Sequence, residues 1–317
     1  LRSEPPELVI PFEVNTRSLE PVFAKLCNEI WLRPDDLTPQ NLSKRLTPIF
    51  LPLWMVDVCL NGGWDAEAGF DYQVKSSRDS FVMGQWHSQE QIEKRVRWEP
   101  RLGQMRRSYQ NTTSAAASDF PRISGLAGGY NYKKALPYRP DLLGGAFLRI
   151  PDRLPKAAWP DAQLSLQQLA SLECQKACDA QHIRSFQAQL EYQDQNWTQL
   201  LMPLYVTYYK DDEGQPQVLF INGQTGQNGG PRLASQSKGW QIAIIAGVAA
   251  ALIFMVSLIL LAVTALFPLA APLGVLGTFL SIVIFVFAVY AAVYPWQWNR
   301  EQLGVKIKSS TPPPAKL

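Results

Sequence analysis

Apolar and polar residues alternate at short intervals along most of this chain, and then the alternation stops. Between Lys238 and Arg300 there is no Asp, Glu, Lys or Arg. Only "FPLAAPLG", Phe267–Gly274, interrupts that run, with two prolines and a glycine. The halves on either side, Trp240 to about Phe267 and about Leu273 to Trp296, each exceed the ~20 apolar residues that cross a bilayer at ~1.5 Å per residue. The pattern predicts a transmembrane helical hairpin over residues 237–299, with the lipid bilayer as its first partner. Trp240 at its start and Tyr294, Trp296 and Trp298 at its end stand where amphipathic rings favour the headgroup layer.

The flanks predict the orientation. Arg232 and Lys238 precede the first span, Arg300, Lys306 and Lys308 follow the second, and the connecting turn carries no charge. An excess of Lys and Arg marks the cytoplasmic side, so both termini are expected in the cytoplasm. Residues 1–236 then read as a cytoplasmic α+β domain and 300–317 as a short cytoplasmic tail. The opening "LRSEPPELVIPF" lacks the charged-then-apolar pattern of a signal peptide, and a start at Leu1 leaves room for residues upstream.

Within residues 1–236 the periodicity changes several times. "ELVIPFEVN", Glu7–Asn15, reads as extended; "TRSLEPVFAKLCNEIWL" has helical spacing, with Thr16 or Ser18 as cap and Leu19, Val22, Phe23, Leu26, Ile30 and Trp31 as the apolar face. "RPDDLTPQNLSKRL" is a connector with room for one short helix. "IFLPLWMVDVCL" predicts a strand that turns at Asn61-Gly62-Gly63, with "GWDAEAGFDYQVK" returning. Ser88–Arg107 suits a solvated strand pair or a helix, and Asn111–Gly145 is rich in turn formers. Ser165 to about Tyr192 has a helical pattern, with Leu166, Leu169, Ala170, Ala177 and Cys178 on one face. "LLMPLYVTYY", a turn at Asp211–Gly214 and "QPQVLFINGQ" form a second hairpin. "LPLWMVDV" at Leu51 and "MPLYVTYY" at Met202 share Pro, Leu, an aromatic and Val at matching offsets, which suggests a duplicated hairpin unit.

Charge and cysteine usage narrow the functions. A net charge of +3 over 317 residues, without a concentrated basic face, argues against nucleic acid as the partner. Four scattered cysteines, Cys27, Cys59, Cys174 and Cys178, fit a reducing compartment better than a disulfide framework. The glycosylation patterns at Asn111 and Asn196 carry no meaning on a cytoplasmic domain.

The candidate chemistry is thin. "FINGQTGQNGG", Phe220–Gly230, has the glycines of a phosphate loop but no Gly-Lys-Ser/Thr opening a polar helix. It reads as a strand end and glycine turns, with Asn222, Gly223, Gln224, Thr225 and Gly226 as a structural signature. Cys174, Cys178 and His182 at i, i+4 and i+8 of one helix span ~12 Å, too far for one ion whose ligands lie ~2.0–2.3 Å away. No metal and no cofactor are therefore expected. His87 and His182 are the only histidines, and neither adjoins a nucleophile signature. Asp57 reads as an outward-facing strand residue, with a buried, upward-shifted carboxyl as the alternative; Asp211 and Asp212 have no recognisable partner. The catalytic residues are unknown, and the reading leans away from an enzyme.

Three segments together carry a resemblance. "VIPFEVN" with the helix ending in "WLRPDDL", then "IFLPLWMVDV", then "MPLYVTYYKDDEGQPQVLFINGQTG" ahead of the apolar run resemble a family of bacterial membrane proteins with an N-terminal zinc ribbon, often labelled primosomal helicase-like. "LPYRPDLLGGAF", Leu136–Phe147, matches the family's middle. The likeness spans Pro11–Gly226, and Asn222–Gly226 is its most distinctive piece. The paired CxxC motifs of the ribbon do not occur in this chain, so zinc is not carried over. Nor is a helicase activity, for want of a Walker A motif. The family implies a membrane architecture without a reaction. The expected role is a non-enzymatic membrane-anchored scaffold or adaptor with protein partners, or an accessory subunit of a larger membrane complex. A tethered hydrolase using Asp57 and His87 is the remaining class. Gly274, Gly277 and Ser281 on the second span permit close helix approach and homo-oligomerisation, although their spacing departs from GxxxG.

Overall fold

The computed structural model describes residues 5–82, 85–263, 268 and 270–309, with the side chains of 78–82, 85–89 and 303–309 outside the description. The chain is mixed α+β, 42% helix and 36% strand, with an antiparallel-rich sheet and two long apolar helices at its C-terminal end. In order the elements are β1 (Leu8–Val9), α1 (Glu20–Asn28), α2 (Pro39–Lys44), β2 (Thr47–Val82), β3 (Gln85–Ala115), α3 (Phe120–Ala127), β4 (Leu136–Pro137), β5 (Phe147–Leu148), α4 (Pro155–Ala177), β6 (His182–Lys210), β7 (Pro216–Asn222), β8 (Asn228–Gly229), α5 (Gln236–Ala262) and α6 (Ala270–Ser309). Contacts divide the chain into two compact units, each assembled from separate stretches.

The first unit comprises Leu1–Glu7, Pro52–Ser118 and Pro151–Leu200. Its frame is an antiparallel pair, β2 on β3, running in register from Leu53 opposite Ala115 to Val82 opposite Gln85, with one shift between Val56 and Val58. β6 lies along the other side of β2. The expected turn at Asn61-Gly62-Gly63 is not there: β2 runs straight through it, and "GWDAEAGFDYQVK" continues the same strand. Gly62 is required for a different reason, since a Cβ there would stand 2.0 Å from the carbonyl oxygen of Gln189 on β6. Glycine inside a strand marks such a close backbone approach as readily as a turn. Ser88–Arg107 is neither a strand pair nor a helix but part of the single strand β3.

α4 covers this frame. Its buried residues Ala158, Ala162, Leu166, Ala170 and Cys174 follow one i, i+4 ridge, the row that packs obliquely against a neighbouring element. Ala162, Leu166, Ala170 and Cys174 meet Val58, Leu60 and Met105, and Ala158 meets Trp54 and Ala116. The helix starts and stops ten or more residues earlier than the periodicity predicts, at Pro155 and Ala177, and Asp179 turns out of it with φ 48°. His182–Tyr192 is therefore strand, not helix, and Leu169 and Ala177 are exposed rather than on the buried face.

The second unit holds Leu8–Leu51, Asp119–Ile150 and Leu201–Leu317. β7 returns antiparallel along the end of β6, from Lys210 opposite Pro216 to Leu204 opposite Asn222, through the turn expected at Asp211–Gly214. This hairpin has a seven-residue return arm, against 31 residues in β3. α1 and α2 pack Leu19, Phe23, Leu26 and Leu42 onto Tyr205, Tyr209, Leu219 and Ile221. Asn15, rather than Thr16 or Ser18, caps the short turn that leads into α1, and Thr38 caps α2. Asn111–Gly145, rich in turn formers, contributes α3 and the two-residue β4.

α5 and α6 pack side by side as an antiparallel pair, each long and apolar enough to cross a membrane. Small residues set their closeness. A Cβ on Gly274 would lie 2.7 Å from Leu261, one on Gly277 2.1 Å from the Ser257 hydroxyl, and one on Gly239 2.7 Å from the Ala291 carbonyl oxygen. The Gly274 and Gly277 surfaces are thus spent inside the pair.

Candidate functional site at the hairpin foot

The glycine-rich string closes on itself. Asn222 is fully buried; its side-chain oxygen accepts from the amides of Gln224 at 2.9 Å and Thr225 at 3.1 Å, while its side-chain nitrogen donates to the carbonyls of Ala127 and Gly129. The Asn222 amide donates to Gln227 O, that of Gly223 to Pro203 O, that of Gly226 to Asn222 O, and that of Gln227 to the Thr225 hydroxyl. Every amide from Asn222 to Gln227 is thereby satisfied within the protein, whereas a phosphate cradle must leave several pointing at its ligand. Gly226 supplies the positive φ of 77° that completes the turn. Gly223 leaves room for Phe12, whose ring would otherwise stand 2.6 Å from a Cβ.

The string also ties distant chain together. Gly223 O accepts from the amides of Glu13 and Val14, and the Gln224 carboxamide accepts from the Asn131 amide at 2.7 Å. Lys134 donates to Glu13 at 2.8 Å and holds that carboxyl below its ordinary range.

Beyond the string the chain enters α5 through a dense junction. The Tyr209 hydroxyl donates to Pro231 O and accepts from the Leu233 amide, and burial pushes its pKa up to about 12. Ser235 caps α5, donating its own amide to Leu32 O at 2.6 Å. Asp212 accepts from the Ser235 hydroxyl at 3.0 Å and the Ser237 amide at 2.9 Å, placing a carboxylate on the positive end of the helix dipole. Lys238 reaches Asp35 at 2.5 Å and Arg33 O at 2.9 Å. From α6, Asn299 exchanges hydrogen bonds with both backbone groups of Ala234, and the Trp298 indole donates to Arg232 O, while Arg232 pairs with Glu29. A cleft of about 380 Å³ opens at this junction, lined by Asp35, Asp36, Lys210, Asp212, Ser237 and Lys238 among others. Asp36 is held below the ordinary carboxylate range, first by its hydrogen bonds from Arg45, and it also accepts from the Lys210 amide at 2.7 Å.

The four aromatics expected at a headgroup layer divide into two kinds. Trp240 and Trp296 are exposed, with Arg300 over the Trp296 ring at 5.5 Å. Tyr294 and Trp298 instead stack on each other and pack against the α1 core. A fifth aromatic, Trp31, joins them. It does not sit on the α1 face as its spacing suggests, because α1 ends at Asn28. Its ring lies 5.6 Å from Tyr290, 5.9 Å from Phe287 and 5.3 Å from Tyr294, and its amide donates to the Tyr294 hydroxyl. Only the uncharged stretch around "IWL" in an otherwise charged connector hinted at it.

The remaining candidates do not converge. Cys174 lies 3.5 Å from Met105 Sδ and Cys178 donates to Cys174 O, both buried, and burial raises both thiols. His182 stands on β6, not on their helix, and meets Asp71 at 2.8 Å. Asp57 accepts from the Asn111 amide at 2.7 Å, at the bulge where Asn111 has φ 57°. Half-buried, it serves the strand irregularity rather than a pocket. The His87 side chain is outside the described residues. Asp211 accepts from the amides of Glu213 and Gln215 and shapes its own turn. Among the described residues no three His, Cys, Asp or Glu side chains group as metal ligands. Set against family models, curated proteins and solved structures, the chain matches none.

Proposed function

We propose that this chain is an integral membrane protein whose helical hairpin, residues 237–299, anchors a cytoplasmic α+β domain, residues 1–236, and that it works as a non-enzymatic scaffold or adaptor presenting that domain to protein or membrane partners. One observation carries this reading: the domain is stitched to the foot of the hairpin by Ser235, Lys238, Trp298 and Asn299 instead of hanging from a flexible linker. A tether alone needs no such joint. A surface that must be held in one pose at the bilayer does. The exposed apolar faces of α5 and α6 far exceed what a water-soluble monomer leaves uncovered. Arg232, Lys238 and Arg300 at the foot favour the cytoplasm for both termini. The resemblance to zinc-ribbon membrane proteins belongs to the same proposal and adds no reaction. Asp57, Asp211 and Asp212 serve a bulge, a turn and a helix cap, and Cys174 and Cys178 lie in the core. Full-length protein should resist extraction by alkaline carbonate and, purified gently at native expression, bring a stoichiometric protein partner seen by mass spectrometry. Purification alone, with a bound metal or small molecule, would overturn the scaffold reading in favour of a pocket.

A further inference from the structure

Trp31 is a large aromatic on a loop of the domain, 44% exposed, and the helix residues it touches, Phe287 and Tyr290, are themselves 46% and 53% exposed. Its open edge is therefore continuous with the outward surface of α6. The contacts also fix a height. Tyr290 lies about 9 Å deeper along α6 than Trp296, at ~1.5 Å per residue.

We infer that Trp31, at the tip of the loop that follows α1, enters the bilayer and sits in the headgroup layer against Tyr290, and that the domain-side edge of the hydrocarbon lies at that level rather than at Trp296 and Trp298. This rests on the membrane reading above. Helix lengths support it independently of the aromatic contacts. From Ala270 to Tyr290 is about 30 Å of axis, the thickness of a hydrocarbon core, whereas Ala270 to Trp298 is about 42 Å. The pairing of Gly277 with Ser257 and of Gly239 with Ala291 and Pro295 sets Tyr290 level with about Ile244. From there to the end of α5 at Ala262 is about 27 Å. Both helices thus offer one core thickness above Trp31, and the aromatic band below it, Trp240, Tyr294 and Trp296, fills the polar layer that amphipathic rings prefer. The domain is held against the membrane surface by its own side chain as well as by its tether.

The test uses the full chain in phosphatidylcholine vesicles, some prepared with lipid brominated near the glycerol end of the acyl chain. The chain has ten tryptophans, so Trp31 is read as the emission difference between the unaltered protein and Trp31→Phe, with Trp31→Tyr as a second subtraction. The difference emission should be blue-shifted, lose most of its intensity to the shallow bromines and resist iodide in the water. If the vesicles float with their protein yet the difference emission is quenched by iodide and untouched by bromine, the inference is overturned and the anchor stands. Protein left at the bottom of the gradient would overturn the membrane reading itself.

Discussion

Leu164 on α4 and Met255 on α5 are each 58% exposed, yet they stand on helices built to opposite plans. α4 buries a narrow i, i+4 ridge and surrounds it with Asp161, Gln167, Gln168 and Glu173, so its exposed leucines, Leu164 and Leu169, stand among polar neighbours. α5 is apolar all round: Ile244, Ile245, Val248, Leu252, Met255, Val256 and Ile259 are all exposed, and only 11% of its most apolar window is buried. Isolated surface leucines need no explanation, whereas a helix apolar all round is what a membrane-spanning segment requires. Exposure by itself does not name the medium. The neighbours of the exposed residue do.

The sharpest way to break this contrast begins at the ridge. Leu166→Ala, at a fully buried position, should cost about 4 kcal/mol of domain stability by loss of contacts and cavity formation, read as a lowered midpoint in pulse proteolysis. A smaller effect, and the more telling one, comes from lysine at the matched pair. Met255→Lys, near the middle of the Ile244–Ala262 stretch of α5, should cost about 2.5–3.5 kcal/mol of insertion in a translocon assay, while Leu164→Lys should shift domain stability by no more than about 0.5 kcal/mol. Equal tolerance at both positions would remove the bilayer from around α5.

Two further substitutions sharpen the picture at the foot. Asn222→Ala strips four hydrogen bonds from a buried knot and should destabilise the domain on the order of 2–3 kcal/mol, with faster hydrogen exchange at Gln224 and Thr225 as the local signature. The smallest effect is at Asp36. Arg45 depresses its carboxyl, so its contribution is present above the unfolded value, about 3.9, and is lost as pH falls through the lower folded value. Asp36→Asn should flatten the acid limb of the stability profile while lowering stability at neutral pH by less than about 1 kcal/mol.

What was legible in the sequence depended on whether a signal was local. The apolar runs and the Asp211–Gly214 turn need only their own residues, and both are where the pattern puts them. The Asn61-Gly62-Gly63 signal misled because the glycine answers to Gln189, far along the chain. The corrective was visible, since Val58, Leu60, Trp64, Ala66, Ala68 and Phe70 keep one even phase across the supposed turn. Likewise Phe186, Ala188, Leu190 and Tyr192 alternate with polar residues at period two, which should have ended the helix before His182. Trp31 could not be found this way, because its partners lie on α6 and no periodicity connects them.

The closing of the Asn222 knot sets a clock on synthesis. Glu13 and Gln224 stand 211 residues apart, and at about 5–20 residues per second the first waits about 10–40 s for the second to be made. The extended segment around Phe12 must spend that interval without Gly223 and Gln224 to pair with. When the partner does arrive, α5 is the next segment off the ribosome. The knot and the first turn of α5 are therefore made within the same few seconds, and the stitches from Trp298 and Asn299 on α6 come only after both apolar helices are complete.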